Sequence, residues 1–202
     1  MNEYIIHIAT MFSINVILAT SLNIINGYCG LFSLGHAGFY AVGAYSSAAA
    51  SIYLFPGLAE SHPILALVLC CVIGMASSSL MGLIVGVPCL RLTGDYLAIA
   101  TIGFSEIIRI MILNMDSVGA SRGLPGIPQL TGLMSVIVAA AFTVWIFHNF
   151  IRSSFGRAVI AIREDEIAAR SMGIDVRFYK TFAFVMGSIF AGLAGALLAH
   201  YQ

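Results

Sequence analysis

The stretch PILALVLCCVIGMASSSLMGLIVGV occupies residues 63–87 and contains no charged side chain. A helix needs about 20 mostly apolar residues to cross the hydrocarbon core of a bilayer, so this stretch is long enough to span one. It is continuously apolar instead of alternating between apolar and polar residues, which favours a helix over a strand of a membrane barrel. The stretch therefore predicts a transmembrane helix.

Five other segments have the same apolar character. They are Tyr4–Ile25, Ser33–Phe55, Asp95–Met115, Gly132–Ile151 and Thr181–Tyr201. Between them, Gly119 to Pro128 holds three glycines and two prolines, which predicts irregular backbone. We expect an all-α, polytopic transmembrane helical bundle of about six spans. It forms a single domain over residues 1–202 that contains one long polar loop at 152–180.

The composition agrees with a membrane protein. Hydrophobic residues make up 60% of the chain and charged residues only 9%. An average soluble domain carries about 25% charged residues, so this chain lacks the means to cover a water-facing surface. The net charge is zero, and no overall positive field indicates nucleic acid as a partner.

Lysine and arginine are concentrated in one segment. Six of the nine basic residues lie between Arg152 and Lys180. Loops that are rich in lysine and arginine remain in the cytoplasm. Counting spans back from this loop places Arg91 inside, and Glu3, Glu60 and Arg122 outside. The charges therefore predict a cytoplasmic loop at 152–180 and an external N-terminus.

Two opposite charges, Glu106 and Arg109, interrupt the fourth apolar segment. Three residues apart, they share one face of a helix and lie within reach of each other. Charges inside a membrane are costly and normally face a partner or a wet cavity. Two interpretations stay open at this point: an ion pair that locks helix packing, and a polar lining for a substrate path.

The polar loop itself predicts a helix from Phe155 to Met172. Glu166 and Arg170 form an i,i+4 pair in the favourable orientation, and Gly173 follows as a helix-ending glycine. Such a helix either lies in the membrane interface or docks into another protein. The acidic run 164–166 favours docking, because anionic headgroups would repel it.

No pattern for catalysis or metal binding is present in the sequence. There is no G-x-x-x-x-G-K-[ST] for nucleotide binding and no nucleophile paired with a base. The four cysteines form no C-x-x-C pair or zinc spacing, and His36 has no second histidine or carboxylate at ligand spacing. We expect no catalytic residues, no metal, no cofactor and no enzymatic activity.

Four stretches resemble one family of transport proteins. They are GYCGLFSLGHA (27–37), GDYLAIAT (94–101), GLPGIP (123–128), and the segment from SFGRA (154–158) through Gly173. Together they resemble the branched-chain amino acid ABC transporter permeases of the LivM type, in order and over nearly the whole chain.

This resemblance implies a permease subunit that forms part of the path for leucine, isoleucine or valine across the prokaryotic inner membrane. The implied partners are a second, LivH-like permease, two cytoplasmic ATPase subunits that hydrolyse ATP, a periplasmic or lipoprotein substrate-binding protein, and the lipid bilayer. Members of the family continue with further spans, so we expect this chain to be truncated at its C-terminus.

The family also implies functional residues. ABC permeases present a cytoplasmic loop of the form E-A-A-x-x-x-G to the ATPase. Ala168, Ala169 and Gly173 match it, but the glutamate position holds Ile167, Glu166 lies one residue early, and the usual downstream I-x-L-P is absent. The implied coupling residues are Arg163, Glu166, Ala168, Ala169, Arg170 and Gly173, and the expected substrate path includes Ser33, His36, Thr101, Glu106 and Arg109.

Other functions remain as alternatives. The permease of a urea or short-chain amide ABC importer shares the implied fold. A secondary transporter or channel that acts alone would use Glu106 and Arg109 for ion coupling and would need no ATPase. A membrane scaffold would carry no ligand at all.

Overall fold

The computed structural model describes residues 2–92 and 94–201, without the side chains of Asn2, Glu60, Ser117 and Ser121. Over these residues the chain is helical and has no strand, which confirms the all-α expectation. The long helices are α1 (Asn2–Asn23), α2 (His36–Ala49), α4 (Pro63–Cys89), α5 (Asp95–Asn114), α6 (Leu133–Arg152) and α9 (Val176–Ala199). The short helices are α3 (Leu58–Ser61), α7 (Ser154–Glu164) and α8 (Glu166–Ser171).

Local sequence signals set several of these boundaries. Pro63 occupies the first turn of α4, where its missing amide N–H costs nothing. Asp175 caps α9 by accepting hydrogen bonds from the amides of Arg177 and Phe178. Asp165 caps α8 in the same way, with bonds from the amides of Ile167 and Ala168.

The cap at Asp165 corrects the prediction of one helix from Phe155 to Met172. The Asp165 backbone is extended, with φ −155° and ψ 109°, so the helix ends at Glu164 and a second helix begins at Glu166. The aspartate carboxylate competes with the backbone for the following amide groups, which stabilises a new helix start inside a helical pattern. Arg163 therefore belongs to α7 and not to the helix that carries Glu166.

The segment before α6 is irregular, as its glycines and prolines predict. Two short 3-10 turns, Asp116–Val118 and Ala120–Arg122, follow α5. The chain then has no regular structure until Leu133 begins α6. The glycines and prolines of residues 119–128 account for this, because they supply left-handed backbone and remove amide donors.

Five helices among the described residues are long and apolar enough to cross a membrane. They cover Glu3–Tyr28, Pro63–Cys89, Asp95–Asn114, Leu133–Arg152 and Val176–Ala199. The first includes a π-helical turn, Ile24–Tyr28, that continues α1. These five agree with five of the six predicted spans.

The second predicted span, Ser33–Phe55, is the exception. Residues 33–35 are not helical, and the helix begins only at His36 and continues through a π-helical turn, Ala50–Leu54. Glycine, serine and tyrosine make it less apolar than its neighbours. A less apolar helix is tolerated at this position, because α2 packs mainly against α9 and α4 and has little exposed surface.

Small residues bring α2, α4 and α9 into close contact. A Cβ atom at Gly43 of α2 would collide with the backbone of Gly192 in α9. In the same core, the Ser78 hydroxyl of α4 donates a hydrogen bond of 2.8 Å to the Phe39 carbonyl. The Phe39 ring packs edge-on against Phe184 of α9 at 5.5 Å between centroids. Backbone contact of this kind replaces bulky apolar packing in membrane helices.

Labelling from outside with a membrane-impermeant thiol reagent tests the topology. Three variants, Glu3→Cys, Ser61→Cys and Glu164→Cys, distinguish the possibilities, since the four native cysteines are buried. Six crossings with an external N-terminus predict labelling at positions 3 and 61 and none at 164. If α2 does not cross, a cytoplasmic loop at 164 requires an internal N-terminus, so protection at position 3 with labelling at 61 would contradict the prediction.

Candidate functional site

The backbone of residues 29–35 has no regular structure although it runs between helices. The amides of Cys29 and Leu31 bond to the carbonyls of Ile24 and Ile25, and side chains satisfy other backbone groups of the segment. The Asn26 amide bonds to both backbone groups of Ser33: its Nδ2 donates to the carbonyl and its Oδ1 accepts from the amide, each at 3.2 Å. The Leu34 amide donates to the Thr101 hydroxyl at 3.1 Å. These side chains supply partners for backbone groups that have none in a helix.

Three of the five predicted path residues meet around this segment. Ser33, His36 and Thr101 are all buried, and Thr101 lies directly under the backbone of Leu34 and Gly35. His36 Nε2 pairs with the Ser21 hydroxyl of α1 at 2.8 Å. The Ser33 hydroxyl and His36 Nδ1 have no hydrogen-bond partner among the described residues. Unsatisfied buried polar atoms are costly, so this cluster holds hydrogen-bonding capacity that the described chain does not use.

The other two path residues lie elsewhere on α5. Arg109 Nη1 contacts Glu106 Oε2 at 3.2 Å, so the expected pair forms. The Arg109 side chain is 68% exposed and the Glu106 side chain is 54% exposed. Neither side chain bonds to Ser33 or His36. With Ile102 and Leu113, also exposed, they form one face of α5 at helical spacing. We call this set of four residues the α5 face.

Of the six predicted coupling residues, four lie in α8. Arg163 lies in α7, and Gly173 follows the end of α8. The Arg170 guanidinium bonds to Glu166 at 3.1 Å, as the i,i+4 spacing predicts. Ala169 is buried and Ala168 is exposed. Gly173 has φ +84°, the left-handed conformation that ends the helix. Ile167 and Met172 are 80% and 82% exposed, which leaves an apolar surface on an otherwise polar loop.

Among the contacts between this polar loop and the membrane helices are two that involve a charged side chain. The Lys180 ammonium of α9 bonds to Glu166 Oε2 at 2.6 Å, and only 14% of the Lys180 side chain is exposed. The Arg163 guanidinium of α7 donates to the Gly27 carbonyl at 2.8 Å, in the π-helical turn that precedes residues 29–35. Its aliphatic stem packs on Gly30, whose φ is +69°.

Sequence reasoning missed both connections. Glu166 and Lys180 are 14 residues apart on two helices, and Gly27 and Arg163 are 136 apart, so neither pair has a helical or strand spacing. The signal in the sequence was only that Arg163 and Lys180 are cationic residues in a loop that also holds four carboxylates.

The described residues bring no three His, Cys, Asp or Glu side chains together as a metal site. All four cysteines are buried and free. Burial raises the pKa of the Cys29 thiol to about 12, with Lys180 lowering it and Glu166 raising it to smaller extents. Cys29 therefore lies close to the Glu166–Lys180 pair and stays protonated at neutral pH.

Residues 4–202 match the protein family described as branched-chain amino acid transport system, permease component. The chain belongs to this family. With its five apolar helices, this membership makes it a multi-pass protein of the prokaryotic inner membrane. The family resemblance in the sequence is thereby confirmed.

Curated relatives carry matching names. The high-affinity branched-chain amino acid transport system permease protein LivM of Escherichia coli (strain K12) is 35% identical over 98% of this chain and 52% of its own length. LivM of Salmonella typhimurium matches to the same extent. The probable LivM of Methanocaldococcus jannaschii is 25% identical over 94% of this chain and 65% of its own length. The chain thus spans about half the length of the first two, and no solved structure matches it.

Alkylation of Cys29 tests the contact that Arg163 makes. Arg163→Ala removes the bond to the Gly27 carbonyl and uncovers Gly30, so the neighbouring thiol should gain access to solvent and its pKa should fall. Because the thiolate is the nucleophile, we expect modification by N-ethylmaleimide at pH 8 to become about tenfold faster, measured by peptide mass spectrometry. Arg157→Ala on the same helix is the control, and equal rates in the two variants would contradict the role of Arg163.

Proposed function

We propose that this chain is part of the permease subunit of an ATP-driven importer for branched-chain amino acids. The match of residues 4–202 to the permease family carries the proposal, and the names of the LivM relatives support the substrate. The proposed partners are a second, LivH-like permease, two cytoplasmic ATPase subunits, and a periplasmic or lipoprotein substrate-binding protein. The proposed orientation has the N-terminus outside, since the arginine-rich loop then lies in the cytoplasm.

The α5 face supports a translocation path shared with another subunit. Glu106 and Arg109 lie on the fourth span, where contact with lipid would be costly for an ion pair. Their exposure in this chain therefore favours a face that the second permease or water covers in the assembled transporter. Ile102 and Leu113 supply apolar surface around the pair, which suits a path for side chains such as that of leucine.

The cluster at the start of α2 supports a second part of the same path. Ser33 and His36 retain unused hydrogen-bonding atoms beside irregular backbone. In membrane transporters such broken segments are found where substrate or ions pass. Thr101 joins this cluster to α5, the helix that carries the exposed charges.

Contacts around α8 support a coupling role. Ile167 and Met172 offer an apolar surface that suits docking into a groove on an ATPase subunit. Motion of α8 would reach α9 through Glu166 and Lys180. Motion of α7 would reach residues 27–35 through the bond between Arg163 and the Gly27 carbonyl. A movement driven by ATP hydrolysis would thus reach the bundle through these two contacts.

Uptake of radiolabelled substrates tests the function. In cells that lack the intact gene we expect leucine uptake to be lost and urea uptake to be unchanged. Collapse of the proton gradient with ATP maintained should leave leucine uptake intact. Lost urea uptake with normal leucine uptake would favour the amide importer, and loss of uptake with the proton gradient would favour a secondary transporter.

Variants of the α5 face test the path. Glu106→Gln or Arg109→Gln leaves an unpaired charge in the membrane, whereas the double variant leaves none. We expect each single variant to reduce leucine uptake and complex assembly more than the double variant does. The matched control is Gly103→Ala, since a Cβ there meets no atom in this chain. A double variant that assembles no better than the singles would contradict the pairing.

Substitutions of Gly173 test the coupling role of α8. Valine at φ +84° is strained by about 1–3 kcal/mol, whereas asparagine tolerates this conformation. A Cβ at Gly173 meets no atom of the described chain within 4 Å, so within this chain the strain lies in the backbone, and Gly173→Asn controls for the added side chain. We expect Gly173→Val to insert normally but to lose ATPase association and transport, and Gly173→Asn to retain both. Normal transport by the valine variant would refute the coupling assignment.

A further inference from the structure

A cavity of about 590 Å³ lies where the end of α4, the helix α8 and the start of α9 meet. Its charged lining residues are Arg91, Glu166, Arg170, Arg177 and Lys180. Four cations thus face one carboxylate. The coupling role uses Glu166, Arg170 and Lys180 of this lining, but it assigns nothing to Arg91 or Arg177.

The positive charge in the cavity is not balanced by the described chain. Glu166 is already shared between Arg170, at 3.1 Å, and Lys180, at 2.6 Å. Arg91 and Arg177 form no ion pair with any described residue. Like charges that line one cavity repel one another, and an anion between them reduces this repulsion. The cavity therefore favours an anionic ligand beside Arg91 and Arg177.

The position of the cavity indicates where such an anion comes from. The apolar helix α4 ends at Cys89, and the apolar helix α9 begins at Val176. The cavity lies at these two ends, at the level where lipid headgroups meet the hydrocarbon core. Val87, Leu90 and Val176 give it an apolar wall next to the charges. A phosphate that carries acyl chains fits both surfaces.

The surface that suits a protein partner is a different one. Ile167 and Met172 are strongly exposed and do not line the cavity. Arg91 and Arg177, by contrast, lie at the ends of the spans α4 and α9.

We propose that this cavity binds the phosphate group of an anionic phospholipid headgroup, with Arg91 and Arg177 as its principal contacts. Basic pockets between helices on the cytoplasmic side are suited to such headgroups. The bound phosphate offsets the positive charge of Arg91 and Arg177 in a cavity where Glu166 is already paired with Arg170 and Lys180. The site requires only that α4 and α9 cross the bilayer, and it is independent of the transported substrate.

Arginine footprinting on the assembled transporter tests the site without any substitution. The transporter is reconstituted in vesicles of phosphatidylcholine with or without phosphatidylglycerol and treated with phenylglyoxal. We expect phosphatidylglycerol to slow modification of Arg91 and Arg177 about tenfold or more. Arg152 at the end of α6, which does not line the cavity, is the internal control and should react at the same rate in both vesicles.

Further arms of the experiment identify the source of the anion. Millimolar inorganic phosphate in phosphatidylcholine vesicles should give little protection, and full protection by it would assign the cavity to free phosphate instead of lipid. Protection that depends on the ATPase subunits and not on the lipid would assign it to an acidic protein segment and overturn the proposal. No protection in any arm would also overturn it.

Substitutions give a second measurement. Arg91→Gln with Arg177→Gln should abolish the enrichment of phosphatidylglycerol over phosphatidylcholine on the purified transporter, measured by native mass spectrometry. Arg91→Lys with Arg177→Lys should retain part of it, because the charge remains. Arg152→Gln should retain all of it. Undiminished enrichment in the glutamine variant would contradict the site.

Discussion

Direct backbone contact between α2 and α9 is the constraint on which the bundle depends. A Cβ atom at Gly43 would collide with the backbone of Gly192, and one at Gly195 would collide with the Tyr40 carbonyl. A Cβ atom at Gly192 would collide with Ser78 and the Gly74 carbonyl of α4. Lipid supplies no hydrophobic force between helices, so close packing of this kind supplies the attraction. Because α9 and α4 cover most of α2, α2 can be short and rich in small residues.

This arrangement places the candidate functional parts on one connected framework. Residues 29–35 are held on one side by Asn26 and on the other by Thr101 of α5. Arg163 bonds to the Gly27 carbonyl in the turn before them, and Glu166 of α8 bonds to Lys180 of α9. The polar loop therefore touches both the helix that organises the core and the segment that leads to the buried Ser33 and His36. A displacement of this loop would change the start of α2, where the unused hydrogen-bonding atoms lie.

The sequence predicted the features that depend on local composition. The five most apolar helices, the irregular backbone at 119–128, the Glu166–Arg170 pair and the left-handed Gly173 all follow from neighbouring residues. The late start of α2 could not be predicted from neighbouring residues. Some of the hydrogen bonds that hold residues 33–35 come from Asn26, and one comes from Thr101, which is more than 60 residues away. The break at Asp165 was missed because the flanking residues favour a helix on both sides. The exposure of Glu106 and Arg109 depends on which face of α5 the bundle leaves uncovered, and periodicity alone does not determine that.

The central claim is that α8 moves together with α9 through the contact of Glu166 with Lys180. A cross-link between Glu166→Cys and Lys180→Cys, made with a short bifunctional maleimide in the assembled transporter, tests it most directly. Two elements that move as one body tolerate a permanent bond, so the account predicts that ATP-dependent leucine uptake is retained after cross-linking. Loss of uptake on cross-linking, reversed when a cleavable linker is cut, would show that α8 separates from α9 during transport and would contradict the account.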